Sequence, residues 1–159
     1  MAFKDKQLVG AAGEHLVLSR LLTRGYLAAQ APRGVRKADI LVNHLDGKSA
    51  VLIQVKTRQS DSEGTWMLTK KIEDIRDEDL FYCLVDLKAE HSKVYVMPST
   101  VLAEVTKVQH DTWLSLPGKN GKAHADSDMR TISNKFPWPV SIAPDGWMDK
   151  YLENWDLIG

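Results

Sequence analysis

The sequence predicts an α/β fold leaning towards α+β, a mixed central β-sheet flanked by helices with a small C-terminal extension. Three observations predict it. Residues 6–23 repeat apolar side chains at the spacing of an amphipathic helix. Two β-branched apolar runs, 38–43 and 50–56, flank Asp46-Gly47, a residue pair favoured in tight type I′ hairpins. Two more strand-like runs, 80–87 and 93–97, precede a second helix, so strands and helices mix within one layered unit.

In chain order, the first helix carries Leu8, Ala11, Ala12, Val17, Leu18, Leu21 and Leu22 as its expected apolar stripe, and Gly25 follows as a C-terminal cap. Residues 26–31 read as a short strand closed by Pro32 and Gly34, and the hairpin comes next. Residues 59–65 read as a polar loop, and 70–79 as a charged stretch with no clear period. After the two later strands, Pro98-Ser99-Thr100 opens a helix of about ten residues, with Ser99 or Thr100 as its cap. Residues 117–128, rich in Gly, Lys and Asp, read as a linker or mobile loop. The tail adds a Pro137-Trp138-Pro139 turn and a short helix whose Trp147, Tyr151 and Trp155 form a packing face. The expected division is a core over 1–116 and a loop with a C-terminal extension over 117–159 packed on it.

A chain of 159 residues that is 43% hydrophobic can bury a core without disulfides. Its one cysteine, Cys83, lies in an apolar strand, which fits a reducing compartment, and no apolar run approaches a membrane span, so the expected location is cytoplasmic. Net charge is zero, which argues against a protein that coats nucleic acid, but the charge is unevenly placed. Residues 15–38 hold five cations and no acid, whereas 73–90 are predominantly acidic. The five histidines show no metal-ligand spacing, and no phosphate-cradling glycine loop or Ser-His-Asp arrangement occurs.

If Asp46 and Gly47 are the two loop residues, Leu45 faces Lys48 and Asp39 falls opposite Gln54, Cβ atoms about 5 Å apart. Side chains alternate along a strand, so Gln54 and Lys56 share a face with Asp39 while Val51, Ile53 and Val55 share the other with Ile40 and Val42. An acid, an amide and an ammonium thus concentrate on one side, and apolar packing specifies the register. Glu14 lies on the apolar stripe of the first helix, where a carboxylate is costly unless it is paired, metal-bound or marginal to the core. Asp39, Gln54, Lys56 and Glu14 together suit phosphodiester hydrolysis. A hard cation such as Mg²⁺ (or Mn²⁺) takes carboxylate and carbonyl oxygens and activates water, and a lysine neutralises charge growing on the phosphate.

Gly10-Ala11-Ala12-Gly13-Glu14, Gly25-Tyr26, Ala38-Asp39-Ile40 and Gln54-Val55-Lys56-Thr57 resemble the PD-(D/E)XK nuclease superfamily. The likeness spans roughly residues 7–110 and is closest to small bacterial branches in which Gln replaces the first acid of the E-x-K element. It implies a restriction-endonuclease-like core, with Asp39 and Gln54 as metal ligands, Glu14 as an accessory ligand and Lys56 as the water-orienting residue. The chain departs from the pattern in lacking a proline before Asp39 and in carrying Gln54, which removes one charge from the metal site.

The expected function is therefore a Mg²⁺-dependent DNA endonuclease with no membrane partner, and the resemblance implies a homodimer. Arg33, Arg36, Lys37 and Arg58 are candidate DNA-binding residues. Arg58 has a plain solvent-facing strand end as its alternative, and Trp66 stacks on a base or, more in keeping with its size, packs. A catalytically inactive nuclease-fold module that binds nucleic acid or a protein is the second reading. A toxin, immunity or purely structural protein is the third.

Overall fold

A computed structural model of the protein describes residues 5–34, 38–45, 47, 50–59 and 64–159. The turn residue Asp46 and the candidate contacts Arg36 and Lys37 lie outside the described residues. The chain begins with helix α1 (Lys6–Leu22), whose Asp5 side chain caps the Gln7 N–H at 2.8 Å. Strands β1 (Leu27–Gln30), β2 (Ile40–Asn43) and β3 (Ala50–Arg58) follow. Strand β4 (Trp66–Thr69) runs into a 3₁₀ turn, Lys70–Asp74, and then come β5 (Leu80–Asp86) and β6 (Lys93–Pro98). Helix α2 (Ser99–Ser115) and strand β7 (Met129–Ile132) precede two further 3₁₀ turns, Asp149–Tyr151 and Trp155–Ile158.

The mixed sheet expected from the sequence forms with strand order β1-β2-β3-β5-β6, antiparallel throughout except for the parallel β3–β5 pair. The hairpin has the register argued from its turn: Ile40 opposes Ile53 and Val42 opposes Val51. Gly47 has φ +67°, a left-handed conformation that favours glycine, and its N–H donates to His44 O at 2.9 Å, so this turn bond closes one residue earlier than the expected Leu45–Lys48 pairing.

The sheet buries side chains on both faces. On one, Val51, Ile53 and Val55 join Ile40, Val42, Val17 and Leu21 beneath α1, with Trp155 and Ile158 closing the layer. On the other, Leu80, Tyr82, Leu84 and Met97 pack against Leu102 and Val105 of α2 and the β4–β7 ribbon. Burial of Trp66, Trp147 and Tyr151 in this second core supports the packing reading of those aromatics.

Several local expectations are corrected. The α1 stripe is Val9, Gly13, Val17 and Leu21, a strict i, i+4 row, while Leu8 and Leu22 are exposed. Helix α2 has 17 residues, not ten, because its buried face continues to Gln109 and His110. Neither Ser99 nor Thr100 caps it. The Ser99 hydroxyl instead donates to Asp77 O at 2.6 Å and accepts from Asp77 N–H, tying the α2 start to the segment before β5. The tail forms no regular helix: Tyr151 and Trp155 sit on separate 3₁₀ turns, and Trp147 lies in the turn before them. The β4–β7 ribbon, pairing Trp66 with Ile132, was not anticipated. Residues 117–128 are anchored: Asp126 accepts at 2.8 Å from the His110 imidazole, which holds the carboxyl down to about pKa 2, and buried Arg130 pairs with Glu73 and Asp126. Among the described residues, no helix is long and apolar enough to cross a membrane.

Candidate functional site

Strand β3 is the platform. Gln54, Lys56 and Arg58 alternate onto the face they share with Tyr82, Leu84 and Asp86 of β5, their register partners. On its other flank β3 pairs with β2 only as far as Ile40. At Asp39 the chain bends. The Asp39 N–H donates to Ile53 O at 2.8 Å, whereas its C=O accepts from Ala31 of β1's extension at 2.8 Å. In a regular strand both groups of one residue address the same neighbour, so this split opens the ladder. The next β3 amide on that side, Val55 N–H, would be left without a backbone acceptor in a half-buried position. The Asp39 carboxylate fills the gap, accepting the Val55 N–H through Oδ2 at 2.7 Å. The acid is thereby held against the strand between Gln54 and Lys56.

Helix α1 delivers Glu14 to the same place. Gly13 allows it: a Cβ at this position would fall 1.8 Å from Thr57 Oγ1, so the helix lies against β3 only because no side chain intervenes. Glu14, the next residue, is half-buried, and its carboxyl is pushed above the ordinary range. Loss of solvation is the main cause and the neighbouring Asp39 charge the second, while His15 opposes both. His15 itself is exposed, in keeping with a surface position at the margin.

Gln54 and Lys56 line a cleft of about 200 Å³ together with Met67, Lys71, Ile72 and Tyr82. Glu14 and Asp39 are not among its lining residues; Asp39 meets the Gln54-Val55-Lys56 segment at the Val55 amide, and its charge reaches Glu14 on α1. The four sequence candidates therefore gather around one stretch of β3 as two pairs. Burial pushes the Tyr82 phenol up to about 12, and its hydroxyl, in the cleft wall with Gln54, is buried without a hydrogen-bond partner among the described residues. Lys71 and Tyr82 escaped the sequence reading. Lys71 sits in a charged stretch without periodicity, and Tyr82 reads as ordinary core.

The remaining candidates are scattered. Arg33 is exposed beyond β1. Arg58 is not a solvent-facing strand end: its guanidinium lies 4.2 Å from the Trp66 ring centroid, and Nη2 is 3.2 Å from Asp86 Oδ2. Trp66 is 3% exposed and donates its indole N–H to Val85 O at 3.0 Å, so it packs and supports Arg58.

Among the described residues no group of three or more His, Cys, Asp and Glu could hold a metal. The donor set at β3 is two mutually repelling carboxylates and one neutral amide. That set fits a hard cation that keeps several waters and takes one or two carboxylates, and does not fit zinc.

No protein-family model and no curated protein sequence matches the chain. Among solved structures, the chain is similar to that of a bacterial homing endonuclease, with a TM-score of 0.52, 18% identity, and 97% of this chain and 92% of that one covered. At that identity the likeness establishes the architecture, and the chain has the mixed-sheet fold of that nuclease.

Proposed function

We propose that the chain is a metal-dependent endonuclease hydrolysing phosphodiester bonds in DNA, a PD-(D/E)XK-type enzyme with Gln54 in place of an acid. The observation that carries the reading is the Asp39 carboxylate fixed on the Val55 amide, between Gln54 and Lys56, with Glu14 beside it. The nuclease-like architecture supports it.

A Mg²⁺ or Mn²⁺ ion held by the Asp39 and Glu14 carboxylates and the Gln54 carbonyl would polarise the scissile phosphate and acidify an attacking water. The chain's own residues do the rest. The Val55 N–H engages Oδ2 of the Asp39 carboxylate. The Glu14 carboxyl is raised above the ordinary range by burial and by the Asp39 charge, and a cation between the two acids would relieve that repulsion. The Lys56 ammonium orients the water and offsets charge growing on the phosphate oxygens. Lys71 adds a second cation to the cleft wall. Cutting both strands of a duplex with one such site per chain takes two copies, so a homodimer belongs to this reading.

The test is cleavage of supercoiled, linear and single-stranded DNA with Mg²⁺ or Mn²⁺. Metal-dependent products from the wild type and cleavage about 10²–10³ slower from Lys56→Ala are expected. Wild-type cleavage no greater than that of Lys56→Ala would sink the enzyme claim. One specific feature, the neutral Gln54, favours a second reading, a silent nuclease-fold module. That module would bind DNA without metal and survive Asp39→Ala unchanged.

A further inference from the structure

Arg58 stands one strand period beyond Lys56 on the same face of β3 and opens a second polar pocket, about 260 Å³ in volume. This pocket and the Lys56 cleft are neighbours along β3 and β4: Arg58 and Trp66 line one, Lys56 and Met67 the other. Among the described residues, four cations, Arg58, Lys88, Lys93 and Lys135, stand in its wall against one carboxylate, Asp86. Lys135 pairs outside the pocket with Asp145 at 2.8 Å, and Lys88 approaches Asp86 at 3.8 Å. Positive charge remains in excess after both pairings.

Arg58 is built into this wall. Its side chain is 13% exposed, clamped between the Trp66 ring and Asp86 Oδ2. Yet Nε and Nη1 are buried with no hydrogen-bond partner among the described residues. Buried guanidinium donors are nearly always satisfied, and a planar fork whose unsatisfied N–H groups turn to the pocket matches phosphate oxygens. Asp86 Oδ1 is also without a partner and needs a donor, which water can supply in a pocket of this size. The excess of cations favours an anion for the Arg58 side.

We infer that this pocket is a phosphate subsite, which takes an internal phosphodiester of the same DNA strand whose scissile group lies at Lys56. The inference rests on the DNA-cleaving reading above. Binding of DNA beside Lys56 carries the backbone over Arg58, because both side chains share one strand face. Lys88 and Lys93 close over the phosphate from β5's end and β6's start.

The experiment is fluorescence anisotropy of labelled DNA across a salt series, in chelator so that no turnover occurs. Lys88→Ala/Lys93→Ala is compared with Lys119→Ala/Lys122→Ala, which removes the same charge from exposed positions between α2 and β7. Both variants should keep the wild-type circular dichroism spectrum. The pocket variant is expected to bind about tenfold more weakly, with a salt slope lower by about one, and the control to match the wild type. Arg58→Lys, which keeps the charge but loses the fork, is expected to weaken binding several-fold. Equal losses in pocket and control variants overturn the subsite. If cleavage still depends on Lys56 in that case, the nuclease reading stands without it. Wild-type protein that binds no DNA overturns both. Strands with and without a 5′-phosphate should bind equally; a preference for the phosphorylated end that Lys88→Ala/Lys93→Ala abolishes overturns the internal placement.

Discussion

The Asp39 carboxylate accepts the Val55 backbone N–H at 2.7 Å, so an acid from the bend before β2 completes the hydrogen bonding of β3. The bond has two consequences, one for stability and one for chemistry, and substitutions separate them. Asp39→Asn keeps an acceptor for Val55 but loses the charge. It is expected to unfold within about 0.5 kcal/mol of the wild type while losing metal-dependent cleavage. Asp39→Ala also orphans the Val55 amide, at a cost of about 1–3 kcal/mol. Urea unfolding of the two variants beside a nicking assay checks both halves. Equal stability of Asn and Ala variants would refute the structural half.

Lys56 and Gln54 line the cleft from one strand face and call for opposite tests. Lys56→Ala is expected to lower the cleavage rate by about 10²–10³, the usual loss for one donor aimed at developing charge. Gln54→Glu places a third carboxylate near Asp39 and Glu14. It should tighten Mg²⁺ binding on the order of tenfold, measured by titration calorimetry, and lower the metal-free melting temperature through like-charge repulsion. A metal affinity unchanged by Gln54→Glu would remove Gln54 from the ligand set.

Glu14 makes the stability of the metal-free protein depend on pH. Its carboxyl is raised from the ordinary 4.5 first by burial and then by the Asp39 charge. For a raised acid, the contribution to stability is fully present below 4.5 and is lost as pH rises through the higher folded-state value. Glu14→Gln should therefore melt about 1–3 °C above the wild type at neutral pH, the scale of a partly exposed like-charge contact. The gap should close as pH falls below 4.5. Mg²⁺ should narrow the gap at neutral pH by favouring the ionised acid. A gap that is constant with pH would show that Glu14 does not titrate in this window.

Gly13 is a packing requirement. In Gly13→Ala the new methyl would meet Thr57 Oγ1 at 1.8 Å. Despite the gain in helix propensity, the variant is expected to lose about 1–3 kcal/mol from overpacking and to move Glu14 away from β3. Thr57→Ser/Gly13→Ala should recover little, because the hydroxyl remains; Thr57→Gly/Gly13→Ala should recover more of the α1 contact. Denaturant midpoints distinguish the two.

Local chemistry in the sequence settled α1, the hairpin and its register. Asp46-Gly47 allows few turns, and a one-residue slip would turn Val51, Ile53 and Val55 out of the α1 core, so short-range signals and burial agree there. The same register placed Gln54 and Lys56 on one face before any contact was known. Tertiary structure alone decided the rest. Strands β4 and β7 have four residues each and pair Trp66 with Ile132; neither is long enough to declare its period, and only the second core holds them together. That core also kept α2 helical to Ser115. The bend at Asp39, the carboxylate on Val55 and the burial of Arg58 against Trp66 and Asp86 depend on where ladders end and which side chains cover them. Such features arise from contacts distant in sequence, so residue order offers Asp39, Glu14, Gln54 and Lys56 as candidates but not how they are arranged about β3.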